Sequence, residues 1–271
     1  MSDMTGQPGS TRKMTKASLL QDLDNLKIAP HGTLLVHSSM KSIGDVEGGP
    51  DTVLDALSEY MKDGLLVLPT HTWASINQDN PEFHVSESPS CVGILTEVFR
   101  KRPGIWRSLH PTHSVAALGS DAEEFVSGDE KFDTPCARGS VWGKLLDRRA
   151  VIMLIGVDLT RNTFIHGIEE WMNVPGRVSD EPRQLYAVTP DGTRIHAPVR
   201  GHTAPVWNHY SKVDGLLEAK GAMRKGRFGD AEVRLCDTAR TTELLSAMLR
   251  MEPDLFLDDT PIDPQTFPGL L

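Results

Sequence analysis

The chain has 271 residues, 39% of them hydrophobic, enough to bury a full core as one large domain or as a domain with a small insertion. Its 28 Lys+Arg against 37 Asp+Glu give a formal charge of -9, which speaks against nucleic acid and anionic membrane surfaces as partners and favours a cationic one. Three scattered cysteines without metal-type spacing, no signal-peptide core and no membrane-length apolar run exclude a disulfide framework and point to a reducing cytoplasm, with no metal site expected.

Residues 1–13 read as a flexible arm, after which residues 14–271 read as a single domain. Thr15 caps a helix whose Leu19, Leu20, Leu23 and Leu26 share one face. "TLLVH" (33–37) and "LLVLPT" (65–70) are short apolar runs suited to strands covered on both faces. Between them Gly49-Pro50 opens a helix with Val53, Leu54, Leu57 and Met61 inward, which makes a parallel β-α-β unit. "CVGILTEVFRK" then reads as an amphipathic helix, "SVAAL" as a strand, "SVWGKLLD" as a short helix and "AVIMLIG" (150–156) as the most apolar strand. A helix follows from Thr163. "QLYAVTPDGTRIHAPV" carries a hairpin signal at Pro190-Asp191-Gly192 and is expected to sit apart from the parallel sheet, in a subdomain spanning about 173–212. "AEVRLCD" adds a late strand, "TARTTELLSAMLRM" a helix, and about 252–271 a Pro-rich tail. The core is α/β.

Three polar clusters lie beside these strands. In "HSSMKSIGDVEGGP", His37, Ser38 and Ser39 end a strand, Ser42 follows, and a helix N-terminus comes next, a combination suited to phosphate. The same serines also suit the backbone groups of a turn. Neither GxxxxGK[ST] nor GxGxxG is present, so nucleotide-hydrolysing and dinucleotide-binding sites lack their fingerprints. In "RSLHPTHS", Arg107 is the one fixed cation, with Ser108, Thr112 and Ser114 as donors and His110 and His113 as adaptable partners around Pro111. Such a loop can hold an anion, or the histidines can cap backbone groups. In "NTFIHGIEEW", His166 and Glu169 stand three residues apart on one helix face, a general-base arrangement if the carboxylate orients the imidazole and a solvated helix pair if it does not. Glu170 can bind an ammonium group, as can loop acids such as Asp79, Glu82, Glu87, Asp180 and Glu181.

Taken together, "LLVHSSMKSIGDVEGGPDTVLDAL", "GLLVLPTHT", "GILTEVFRKRPGIWRSLHPTHSVAALG", "TPCARGSVWGKLL" and "LIGVDLTRNTFIHGIEE" resemble the aminoglycoside 3-N-acetyltransferase (antibiotic N-acetyltransferase) family, in order and spacing from about residue 15 to about residue 250. The resemblance implies a three-layer α/β/α core around a mostly parallel sheet, unrelated to the GNAT fold. It implies an acetyl-CoA-dependent resistance enzyme whose acceptor is the 3-amino group of a 2-deoxystreptamine ring. By the same resemblance His166 is the general base and Glu169 its acidic partner, while Thr72, Asn162, Thr163 and Glu170 belong to the acceptor side. The acetyl-CoA site falls to His37, Ser38, Ser39, Ser42, Arg107, Ser108, His110, Pro111, Thr112, His113, Ser114 and Ser140.

The chemistry is consistent with that implication. A polycationic acceptor must lose a proton before its nitrogen can attack a thioester, which requires a base and acidic surroundings. No covalent acyl-enzyme is expected: Cys91 begins a helix, Cys136 lies in a loop without a base partner, and Cys236 ends a strand. Direct transfer in a ternary complex is the expectation. Two other readings remain open, an acetyltransferase of the same fold acting on another amine and a non-catalytic acyl-CoA-binding protein.

Overall fold

The computed structural model describes residues 13–267 and 269–270, so the expected N-terminal arm lies, apart from Lys13, outside the described residues. The first half runs α1 (Lys16–Asn25), β1 (Thr33–Ser38), α2 (Met40–Ile43), α3 (Pro50–Tyr60), β2 (Leu65–Pro69), β3 (Glu82–His84), α4 (Ile94–Phe99), β4 (Trp106–Arg107) and β5 (Val115–Leu118). It continues through α5 (Ala122–Val126), α6 (Val141–Asp147), β6 (Val151–Ile155), α7 (Thr163–Trp171), β7 (Tyr186–Val188) and β8 (Arg194–His196). The chain closes with α8 (Asp214–Ala219), β9 (Met223–Phe228), β10 (Ala231–Asp237) and α9 (Thr238–Met251).

Seven strands form one sheet in the order β4-β5-β2-β1-β6-β10-β9. β1 pairs in parallel with β2 and β6, as the β-α-β reading predicts, while the flanking strands join through antiparallel ladders. Two successive antiparallel steps restore the original direction. Hence β4, β2, β1, β6 and β9 point one way, and β5 and β10 run against them. The central strands are continuous apolar runs because both faces are covered. Leu34 and Val36 pack towards α1, α3 and α4, whereas Leu35, Val67, Ile152 and Leu154 pack towards α5, α6, α7 and α9, which produces the expected three layers.

The strand β9 gives no sign of itself in the sequence. It reads "MRKGRF" and exposes Arg224, Lys225 and Arg227, so its apolar alternation is hidden by the charges that keep a sheet edge from pairing with other chains. The hairpin β7-β8 does stand apart, and β3 joins it in parallel to make a second, three-stranded sheet around Ile76, Phe83, Val85, Leu185, Ala187 and Val199. The tail is less loose than its prolines suggest: Leu255, Phe256 and Phe267 are buried in the main core. No helix among the described residues is long and apolar enough to cross a membrane.

The carboxyl ends of β1, β2 and β6 meet at one edge. β1 leads into α3 on one face and β6 into α7 on the other, so a crevice opens where the connections diverge, the usual place for a ligand in an open α/β sheet. Gly156, just past β6, has φ 62°, and a Cβ there would come within 2.2 Å of the Ser42 Cβ. Glycine is thus what lets the two loops close on each other.

Candidate active site

Helix α7 is buried nearly all round, with Phe164, Ile165, His166, Gly167, Ile168 and Glu169 all inside. Its start is fixed by Asn162, whose Oδ1 accepts from the Phe164 N–H at 3.3 Å, a cap worth about 1 kcal/mol. His166 and Glu169 face the same way, as their spacing predicts, but Nδ1 and Oε2 are 3.6 Å apart, too far for a hydrogen bond. Tyr210 closes the gap. Its hydroxyl lies 2.5 Å from Glu169 Oε2 and 2.8 Å from His166 Nδ1.

The protons in this chain can be placed by elimination. Burial and the neighbouring Glu169 raise Tyr210 well above its ordinary range, so it remains a phenol with one proton to give. Burial pushes Glu169 up, but His166, Tyr210 and Arg177 together hold its carboxyl below the ordinary value, and Arg177 Nε donates to Oε1 at 2.7 Å. An ionised carboxylate only accepts, so Tyr210 donates to Glu169 and must accept from His166 Nδ1–H. That leaves Nε2 as the nitrogen with a free lone pair.

Other rings surround His166. His202 stacks on it at 4.0 Å and 17°, Trp207 meets it edge-on at 5.9 Å, and His113 lies edge-on to His202 at 5.5 Å. His71, 4.7 Å from His113, places Nε2 3.2 Å from Thr163 Oγ1 at the start of α7. Burial lowers His71 and His113 well below their ordinary value, and burial together with His202 takes His166 down to about 4 despite the opposing pull of Glu169. Near neutral pH these three are uncharged imidazoles.

In the 107–114 stretch most polar side chains turn to protein partners, one of the two arrangements its sequence allows. Arg107 is 9% exposed and most of its guanidinium is engaged: Nε with Thr70 Oγ1 and Ser114 Oγ at 3.1 and 3.3 Å, Nη1 with the Val85 and Ser88 carbonyls at 3.0 and 2.7 Å, and Nη2 with the Thr70 carbonyl at 2.8 Å. It also lies over the Phe83 ring at 4.7 Å, so it fastens the small sheet to the large one, and of its five N–H donors one on Nη2 is left without a partner among the described residues. Ser108 accepts from the Val115 N–H, Ser114 donates to the Thr70 carbonyl, and His110 Nδ1 accepts from the Thr112 and His113 N–H groups. Pro111 is buried and its carbonyl takes the Thr72 hydroxyl; Thr112 is likewise buried, its hydroxyl 2.9 Å from His113 Nδ1. Ser140 is the N-cap of α6, accepting from the Trp142 N–H and donating to the Ala137 carbonyl. Most of these side chains have their hydrogen bonds already made inside the protein, whereas His110 Nε2 is buried without a partner among the described residues.

The first cluster is more open. Ser38, Ser39 and Ser42 are half-buried at the crevice, Ser42 Oγ donating to Ser39 Oγ at 2.9 Å and approaching the Gly156 carbonyl at 3.3 Å. His37 is buried behind them, and burial takes it down to about 3. A cavity of about 520 Å³ runs past Ser42, Gly156, Asp158, Thr160 and the exposed Arg161. A second, of about 470 Å³, is lined by Asp133, Arg138, Glu170, Trp171, Arg177 and Arg200, and so reaches the partners of His202 and Glu169.

Cys136 lies in the loop before α6. It is not isolated: its N–H donates to Glu170 Oε1 at 3.0 Å, an oxygen that also lies 2.8 Å from His202 Nε2. Burial and then the carboxylates of Glu170, Asp129 and Glu169 raise its thiol well above the ordinary value, so with no cation beside it the sulfur stays protonated and a poor nucleophile. Tyr210, His202 and Arg177 escaped the sequence reading. Tyr210 and His202 come from a stretch distant from α7 and Arg177 from the loop just after it, where no local spacing marks them.

The family model described as aminoglycoside 3-N-acetyltransferase matches residues 35–250. The chain is 30% identical to aminoglycoside N(3)-acetyltransferase IV of Salmonella sp. over 247 residues, 89% of this chain and 90% of that one. It superposes on a histidine-to-alanine mutant of aminoglycoside acetyltransferase AAC(3)-IVa in complex with a gentamicin, with a TM-score of 0.80 at 27% identity, covering 92% and 93% of the two chains. The fold is also that of AAC-IIIb, solved as a binary complex with CoASH, with a TM-score of 0.79 at 24% identity over 88% and 97%.

Proposed function

The chain belongs to the aminoglycoside 3-N-acetyltransferase family, and from that premise we propose that it transfers acetyl from acetyl-CoA to the 3-amino group of an aminoglycoside, with His166 as general base. The observation that carries the base assignment is the chain Glu169–Tyr210–His166, which fixes the proton on Nδ1 and leaves Nε2 to accept another. The acceptor nitrogen, a cation in water, loses one proton to solvent on binding, and the neutral amine then gives a second to Nε2 as it attacks the thioester carbonyl. The tetrahedral adduct collapses, the C–S bond breaks, and the sulfur leaves as CoA thiolate to be protonated by the imidazolium. Glu169 stabilises that imidazolium through Tyr210 without taking the proton itself.

We assign the cofactor side to the open first cluster, Ser38, Ser39 and Ser42 with His37 behind them, where the crevice between β1 and β6 offers backbone donors. Asn162 contributes a buried Nδ2 with no hydrogen-bond partner among the described residues, and Thr163 ties α7 to His71. The net charge of -9 favours the encounter with a polycation. The test is turnover of purified protein with acetyl-CoA across a panel of aminoglycosides, read as thiol release. Release with several 2-deoxystreptamine compounds is expected; release only with unrelated amines transfers the reading to another metabolic acceptor, and binding of acetyl-CoA without any release would reduce the chain to an acyl-CoA-binding protein.

A further inference from the structure

One buried group of side chains is given no step in the acyl transfer proposed above: Cys136, Glu170 and His202. Their ligand atoms, a thiol sulfur, a carboxylate oxygen and a ring nitrogen, all lie within 4.8 Å of one another. They come from three segments that no sheet or helix joins, the loop before α6, the last turn of α7 and the stretch after β8. Gly167 permits the approach, since a Cβ there would meet Trp171 at 2.9 Å and the Cys136 Cβ at 3.4 Å.

Cys136 is fully buried, and the side chains of His202 and Glu170 are 9% and 5% exposed. Glu170 Oε1 is well served by the Cys136 N–H and His202, but Oε2 is buried and has no hydrogen-bond partner among the described residues. An unpartnered carboxylate oxygen is costly in such a place, and a cation is what it lacks. The thiol is equally underused, with only a 3.7 Å contact to the Thr163 carbonyl.

We propose that Cys136, Glu170 and His202 bind one divalent transition-metal ion, best matched by Zn²⁺, with water in the fourth position. Sulfur, imidazole and carboxylate together form a borderline-soft donor set that suits zinc and disfavours magnesium or calcium. Charge balances: the Cys136 thiol releases its proton to solvent, and thiolate plus carboxylate neutralise the ion, so the buried site ends with no net charge. Tetrahedral zinc with bonds of about 2.0–2.3 Å sets its ligand atoms roughly 3.3–3.7 Å apart, which requires side-chain movements on the order of 1 Å from the present arrangement. The His202–Glu170 hydrogen bond gives way as the ring nitrogen turns to the metal. The ion then ties the three segments together beneath the second cavity. This inference is independent of the role given to His166.

Untagged protein incubated with Zn²⁺, freed of excess by gel filtration and assayed for metal should retain one ion per chain and melt at a higher temperature than chelator-treated protein. Replacing zinc by Co²⁺ should produce a thiolate-to-cobalt charge-transfer band in the near ultraviolet, a signature an ammonium bound at Glu170 cannot mimic. Cys136→Ser and His202→Gln should each weaken zinc by more than the roughly 10–100-fold that follows loss of an outer partner. Glu170→Gln, which preserves shape, serves as the third variant, and circular dichroism without metal identifies any that fail to fold. No retained zinc, a cobalt spectrum without the thiolate band, or equal retention by the folded variants would overturn the proposal.

Discussion

Residues 107–114 and the walls around His166 are equally rich in polar groups, yet they differ in how many of those groups are already taken. In the first, Arg107 alone makes five hydrogen bonds, Ser108 and Ser114 are closed on backbone partners, and His110 has Nδ1 taken while Nε2 lacks a partner among the described residues. In the second, His166 keeps one nitrogen free, and Glu170 Oε2 and Asn162 Nδ2 have no partner among the described residues. Crowded donors in a sequence therefore indicate a demanding local structure. A site is marked by what is left unsatisfied once the chain has folded.

His166→Ala puts the largest strain on this contrast. Turnover should fall by about 10²–10⁴-fold, the range a general base supplies, with the melting temperature close to the parent's. A variant with full turnover would place the reacting base elsewhere. Arg107→Ala should show the opposite pattern: it strands the carbonyls of Thr70, Val85 and Ser88, so unfolding free energy should drop by on the order of 3 kcal/mol or more in denaturant titration. Should stability hold while KM for acetyl-CoA rises steeply, Arg107 belongs to the cofactor after all and the contrast fails.

Tyr210→Phe sharpens the comparison on a smaller scale. It removes the bridge between Glu169 and His166, so kcat should fall about 10-fold with little change in KM, while stability drops by about 1–3 kcal/mol. A change in KM alone would assign the hydroxyl to substrate contact. The gentlest probe is acid. His37 and His110, brought by burial to about 3 and about 4, stay neutral in the folded chain while their unfolded counterparts take up protons near 6.5. Stability is fully present above that value and declines as pH falls from it towards 4, by up to about 1.4 kcal/mol per unit for each ring. Asp129, pushed up by burial to about 6, opposes with one proton of its own. Urea midpoints at pH 7 and pH 5 should differ in that direction; identical midpoints would mean these rings are not sealed from solvent.

What could be foreseen followed the range of the interactions. The helix α7 from Thr163 and the common face of His166 and Glu169 depend on neighbours within four residues, and both are legible. So are the β-α-β unit and the hairpin, whose apolar periods and turn residues lie side by side. Tyr210, His202 and Arg177 reach the same centre from 8 to 44 residues away, where nothing in the local pattern distinguishes a ring or a guanidinium in a wall from one in a loop. Arg107 was visible as the only fixed cation of its cluster, but its partners Val85, Ser88 and Thr70 belong to segments that only the folded chain brings beside it. The strands β3 and β4 span three and two residues, too few to show a period.

The covering of His166 by His202, Trp207 and Tyr210 has an evolutionary corollary. All three belong to one excursion of the chain between β8 and α8, outside the helix that carries the imidazole itself. Insertions or exchanges in that excursion can recontour the wall around the imidazole while α7 keeps its own sequence. The shape of the surroundings and the position of the imidazole are thereby set by separate stretches of the chain.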